Sequence, residues 1–225
     1  MRRPCLCLEI MLLLVLPAAS QQSPQSAQPL SGNAVVVDGI ATRIEDDIIT
    51  ESEVRELSAF QMLVEGHAAP RNKVLDELID QWIIRTEANA ALFPHPADSE
   101  VDHELERLQQ RFKSAEAFHA RLHELGLDEA AVRRLLRQEL FFARFLDYRF
   151  RPTEQVARKQ IEDYYHQDLA SQLAARGQPL PPLEEVESQI REVLTQREIS
   201  DRATRWLDDS KSRLKIDVSP GGGGE

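Results

Sequence analysis

The apolar positions of this chain change period twice, and each change marks a boundary between sheet and helix. Ile40-Ala41-Thr42-Arg43-Ile44 and Ile48-Ile49-Thr50 are short runs with strand composition, separated by Glu45-Asp46-Asp47, whose side chains tolerate tight-turn angles. That pattern predicts a hairpin. From Glu51 the period is helical, with Val54, Leu57, Phe60 and Val64 on one stripe and Leu75, Leu78, Ile79, Trp82 and Ile83 on the next. Thr50 stands three residues before Glu53, the spacing of a reciprocal cap, so a helix is predicted to begin at Glu51. At the far end Leu214, Ile216 and Val218 alternate with Arg213, Lys215 and Asp217, the two-residue repeat of a half-buried strand. One strand cannot satisfy its own backbone, and the other predicted strands lie at residues 35–50, so the two ends of the fold are predicted to pair.

Breakers and caps divide what lies between. Pro94 and Pro96 interrupt the helical pattern, and Ser99 with Asp102 restarts it on a helix carrying Val101, Leu105, Leu108 and Phe112. A helix from Ala115 to Leu125 carries Phe118, Leu122 and Leu125 and ends at Gly126. Asp128 caps a long helix from Glu129 to about Arg151, which Pro152 stops. Thr153 is expected to begin another, with Val156, Ile161, Tyr165 and Leu169 inward. Gly177 to Pro182 reads as an extended loop before a helix from Leu183 to about Ser210. The expected fold class is mainly α, a helical domain with a small sheet formed by the N-terminal hairpin and the C-terminal strand. One domain is expected over residues 34–218, in portions 34–151 and 153–218, followed by a disordered tail at 219–225.

The N-terminal stretch adds a location. Met1 to Ser20 has a basic end at Arg2 and Arg3, an apolar run from Ile10 to Leu16 and a small-residue site at Ala18 and Ser20, the pattern of a secretory signal peptide cleaved before Gln21. The run is shorter than the about 20 apolar residues a membrane span needs, although Glu9 beside it leaves an uncleaved anchor as an alternative. Residues 21–33 are Gln, Ser, Pro and Ala and read as a flexible linker. The two cysteines, Cys5 and Cys7, both fall within the leader, so an exported, periplasmic chain would have no disulfide and no cysteine ligand. The formal net charge is −11, and loss of Arg2, Arg3 and Glu9 makes it one unit more negative. A field of this sign disfavours nucleic acid and anionic lipid as partners.

The stretch Val37–Val54, VDGIATRIEDDIITESEV, resembles the opening of the SurA/PpiD/PrsA-like periplasmic folding factors, with Glu51-Ser52-Glu53-Val54 matching the start of their first helix. Val74 to Ile84 is similar to that family's second helix, and Leu135 to Arg151 to the helix that closes its N-terminal chaperone domain. The resemblance implies the same pairing of a C-terminal strand with the opening hairpin. It also implies an inserted parvulin-type isomerase domain, but the corresponding position here holds only about Ala174 to Leu183, far short of the about 50 residues a domain needs. No residue aligns with a parvulin active site.

Other chemistry is sparse. The glycines form no phosphate-binding loop, and no Gly-x-Ser-x-Gly surrounds a serine, so neither a nucleotide, a cofactor nor a catalytic residue is expected. His119 and His123 are four apart on a predicted helix, a spacing that can bind metal, yet a solvated face is the favoured reading and no metal is expected. The segment Phe141 to Phe150 is apolar around more of its helix than one core face requires. That excess has two readings: a helix packed in the centre of the domain, or a groove for extended clients with Phe142, Tyr148 and Phe150 as contact residues. The function expected is an ATP-independent holdase for unfolded envelope or outer-membrane polypeptides. The alternatives are an interaction subunit dedicated to one partner and, through the family association alone, a peptidyl-prolyl isomerase. Oligomeric state is not set by these features.

Overall fold

The computed structural model describes residues 38–219. The expectations for the leader, the linker, the start of the fold near residue 34 and the last six residues lie outside them. Strands β1 (Ile40–Ile44) and β2 (Asp47–Thr50) form the hairpin, turning at Glu45 with its φ of 52°. Helix α1 (Glu51–Val64) follows with the reciprocal cap in place: the Glu53 amide donates to Thr50 Oγ1 at 3.2 Å and the Thr50 amide to Glu53 Oε2 at 2.7 Å. This satisfies two amides that a helix start otherwise leaves unpaired. Buried on α1 are Val54, Leu57, Phe60 and Leu63, with Val64 only half-covered.

Helix α2 (Arg71–Ala90) buries Val74, Leu75, Ile79, Ile83 and Ile84. Its Trp82 indole N–H donates to Asp47 at 2.9 Å and ties the helix to the hairpin. Helix α3 (Asp98–Gln109) starts one residue before Ser99, because the Ala97 amide is capped by the Glu100 carboxylate at 2.8 Å and Ser99 plays no part. Helix α4 (Ala115–Leu125) is capped by Ser114 and ends on left-handed Gly126, and Asp128 caps α5 (Glu129–Phe150) through the Ala131 amide at 2.6 Å.

The expectation of a helix from Thr153 is corrected. Arg151 is extended, as a residue before proline prefers, and residues 152–157 remain irregular before α6 (Arg158–Tyr164) begins. A π turn at Tyr165–Leu169 joins α6 directly to α7 (Ala170–Ala175). After the loop, α8 (Leu183–Lys211) runs 29 residues, about 43 Å at the usual rise. Strand β3 (Ile216–Val218) then lies antiparallel to β1, giving a sheet of order β2-β1-β3 in which Thr42 faces Ile49 on one side and Val218 on the other. The Ser219 amide donates to Ala41 O at 3.0 Å and extends the pairing by one residue. The two ends of the fold therefore meet. Buried Thr42 donates its hydroxyl to Asp217 O at 3.0 Å, so its polar atom is partnered on the strand that closes the sheet.

The main core joins the hairpin, α1 to α5 and the C-terminal half of α8. A phenylalanine cluster of Phe141, Phe142 and Phe145 extends it toward Phe93, Trp206 and Leu207. The N-terminal half of α8 packs against α6 around a separate cluster of Ile161, Tyr165 and Ile190. The chain is mainly α with a small three-stranded antiparallel sheet. None of the described helices is long and apolar enough to cross a membrane.

Candidate functional site

The aromatic segment of α5 divides by burial. Phe142 is 7% exposed and lies in the phenylalanine cluster with Ile84 and Ala88 of α2, so most of its surface is already packed. The physical reason is that α5 packs against α2, α3 and α8, so apolar residues are needed around more of its circumference than a surface helix requires. Phe150 is half-buried, its ring 5.5 Å from that of Trp206, and the Arg149 guanidinium lies 4.9 Å from the Trp206 ring centroid. Tyr148 alone of the three is open, 73% exposed, with one neighbouring ring, Phe93, at 5.4 Å. The three do not form one surface. His119 and His123 are both exposed on α4, and no group of three or more metal-ligating side chains occurs among the described residues.

The concavity suited to an apolar ligand lies instead in the helical hairpin that α6 and α7 make with α8. It encloses about 500 Å³. Tyr164, Leu169 and Leu173 come from the first limb, Val186, Ile190 and Val193 from α8, and Pro179 and Pro181 from the connecting loop, with Gln178 and Gln189 the remaining polar contributors. Sequence periodicity assigns Leu169 to an inside face but gives no sign of an open groove.

Local chemistry builds this groove. On an α-helix Tyr164 and Leu169 would stand about 140° apart at 100° per residue. The π turn, closed by the Ala170 amide on Tyr165 O, takes an extra residue into that turn and brings the two side chains to one wall. Tyr165 turns inward, and its hydroxyl donates to Pro181 O at 2.7 Å, pinning the loop. Gly177, at φ 66°, ends α7 in the left-handed conformation, and the Gln178 amide returns to Leu173 O at 2.9 Å. Prolines 179, 181 and 182 hold the following backbone extended without needing its amides. Arg197 stacks on the outer side of the hairpin, 4.8 Å from the Tyr164 ring centroid, and pairs with Asp168 at 3.6 Å.

No residue lining the groove carries a charge, and it holds neither a nucleophile–base pair nor a proton donor beyond the Tyr164 hydroxyl. Such a surface can shelter apolar groups from water, at about 1.5–3 kcal/mol for each large side chain fully covered. Val193, at 40% exposed, shows that the existing chain leaves part of it uncovered. No model of a known protein family matches this chain, and no curated protein matches it either.

Proposed function

We propose that this protein is an exported, ATP-independent holdase that shelters apolar segments of unfolded polypeptides in the groove between α6–α7 and α8. The observation that carries the reading is the groove itself: uncharged, about 500 Å³, open, and lined by aliphatic and proline side chains in a chain whose net charge is otherwise −11. An extended segment suits it because alternate side chains can enter while the client backbone stays at the rim near Gln178 and Gln189. Aliphatic walls discriminate weakly between sequences, which a holdase requires. Ordering a flexible client offsets part of the burial gain, so binding is weak and exchange fast. The SurA-like opening and the leader pattern support the same reading and a periplasmic location.

The test is light scattering of an unfolded outer-membrane protein diluted into buffer with the mature chain at rising molar ratios. Suppression is expected to saturate near equimolar ratios and to fall several-fold for Val193→Glu, whose side chain is exposed enough that the fold tolerates the charge. Full suppression by a folded Val193→Glu variant would remove the groove from the mechanism. A complex of fixed stoichiometry with one folded partner, and no suppression, would replace the holdase with a dedicated interaction subunit.

A further inference from the structure

A second concavity, about 220 Å³, lies between α2, α5 and the loop joining α2 to α3. Its chemistry is the opposite of the apolar groove's. Arg85, Arg134 and Arg137 line it, together with two side-chain amides, and no carboxylate does, although the chain has 38 acidic residues against 27 basic. Phe141 and Phe142 supply the apolar part, and the His95 ring lies stacked on Phe141 at 4.4 Å between centroids. Arg134 pairs with Glu56 and Arg137 with Asp98, both acids outside the lining, the latter contact at 2.7 Å. Arg85 is exposed and makes no ion pair among the described residues. One guanidinium is thus left to spare in a pocket that also presents aromatic surface.

A ligand matching this surface carries one anionic group and one apolar group close together. The planar fork of an arginine suits a carboxylate. The volume holds roughly one large side chain, so an acyl-chain lipid would leave most of its apolar surface in water. An internal segment of a polypeptide offers the apolar group without the carboxylate; its last residue offers both. We propose that this pocket binds the free C-terminal residue of a client, its carboxylate on Arg85 and its apolar side chain against Phe141 and Phe142. The proposal rests on the polypeptide-binding function above and adds to it a preference for chain ends.

The test uses two fluorescently labelled ten-residue peptides of one sequence ending in Phe, one a free acid and the other a C-terminal amide, titrated with the mature chain by anisotropy at low salt. The acid is expected to bind at least about ten-fold more tightly, as a hydrogen bond to a charged group of 1.5–3 kcal/mol implies. Arg85→Gln and Arg85→Glu should each abolish the difference without lowering thermal stability, whereas Val193→Glu should weaken both peptides alike. Equal binding of acid and amide, or a preference that survives both Arg85 variants, would overturn the proposal. If neither peptide binds but aggregation is still suppressed, the chain-end proposal falls and the holdase reading stands; if suppression is absent too, both fall.

Discussion

Four helix ends among the described residues place a residue in the left-handed region, three with glycine, Gly66 (φ 80°) after α1 among them, and one with leucine. Gly126 (φ 68°) and Gly177 (φ 66°) close α4 and α7, while Leu92 (φ 52°) closes α2, with the Phe93 amide returning to Ala88 O at 2.9 Å. Glycine takes this conformation freely, whereas a side chain there costs about 1–2 kcal/mol. The cost at Leu92 has no evident return in packing, because its side chain is 90% exposed. Leu92→Gly should therefore stabilise the fold, by about 0.5–1 kcal/mol once the greater freedom of glycine in the unfolded chain is subtracted. That corresponds to a rise in Tm of roughly 1–4 °C for a domain of this size. Gly126→Ala is the reverse case. Nothing lies within 4 Å of an added Cβ at Gly126, so the loss is conformational alone, about 1 kcal/mol. Thermal melts of both variants check the pair, and a lower Tm for Leu92→Gly would mean that Leu92 is packed in solution.

At the scale of elements, acidic side chains that lie far apart in sequence meet where helices converge. Glu139 of α5 faces Glu77 of α2, Glu65 just beyond α1 and Glu104 of α3, and burial followed by repulsion from these three pushes its carboxyl up to about 7. Burial also raises Glu77, against the hydrogen bonds it accepts from Gln61 and Gln81. The folded state thus holds the Glu139 proton more tightly than the unfolded chain, whose carboxyl titrates near 4.5. Stability present below pH 4.5 is lost as pH rises through 7. The Glu139 side chain is nonetheless exposed to water, which screens it and makes the loss much smaller than full burial would give. Glu139→Gln should match the wild type in urea midpoint at pH 4.5 and exceed it at pH 8; a variant weaker at pH 8 would show that the ionised carboxylate is favourably held. No sequence pattern announced this convergence. What was legible was local: Thr50 and Glu53 lie in one turn, so the start of α1 followed from their spacing, as did the ends at Gly126 and Asp128. The start of α6 was misplaced because Thr153 has the right cap chemistry but sits where the chain is turning from α5 toward α8. The π turn was invisible for a related reason. It answers the need of Tyr164 and Leu169 to share a wall facing α8, and periodicity identifies an apolar face without revealing whether its partner covers it.

At the scale of the molecule, α8 belongs to two packing units. Its C-terminal half contributes Trp206 and Leu207 to the main core, while its N-terminal half contributes Ile190 to the small cluster around Ile161 and Tyr165. The main core also holds the sheet that joins the first and last strands, so opening it requires separating β3 from β1 as well as unpacking helices. Among the described residues the helical hairpin of α6–α7 with α8 is held by the small cluster, the Tyr165–Pro181 bond and the contacts of Arg197 with Tyr164 and Asp168, with ion pairs such as Arg158–Glu162 and Lys159–Asp163 on its exposed faces, where each contributes little. Local stability should therefore differ between them, with the hairpin opening first and the N-terminal half of α8 fraying with it. Ile161→Ala removes a side chain that is 1% exposed and should cost about 2–5 kcal/mol, more than so small a cluster can lose. Hydrogen exchange followed by mass spectrometry should then show protection lost across residues 158–194 and retained in α1 to α5. Phe145→Ala, in the phenylalanine cluster, should lower protection in both regions, because the hairpin depends on the half of α8 that this cluster anchors. Uniform loss in Ile161→Ala would instead make the protein one cooperative unit. The distinction bears on function: a groove in the less stable unit can adjust its walls to many clients without disturbing the sheet and core that hold the protein together, whereas a groove that opens only with global unfolding could serve few.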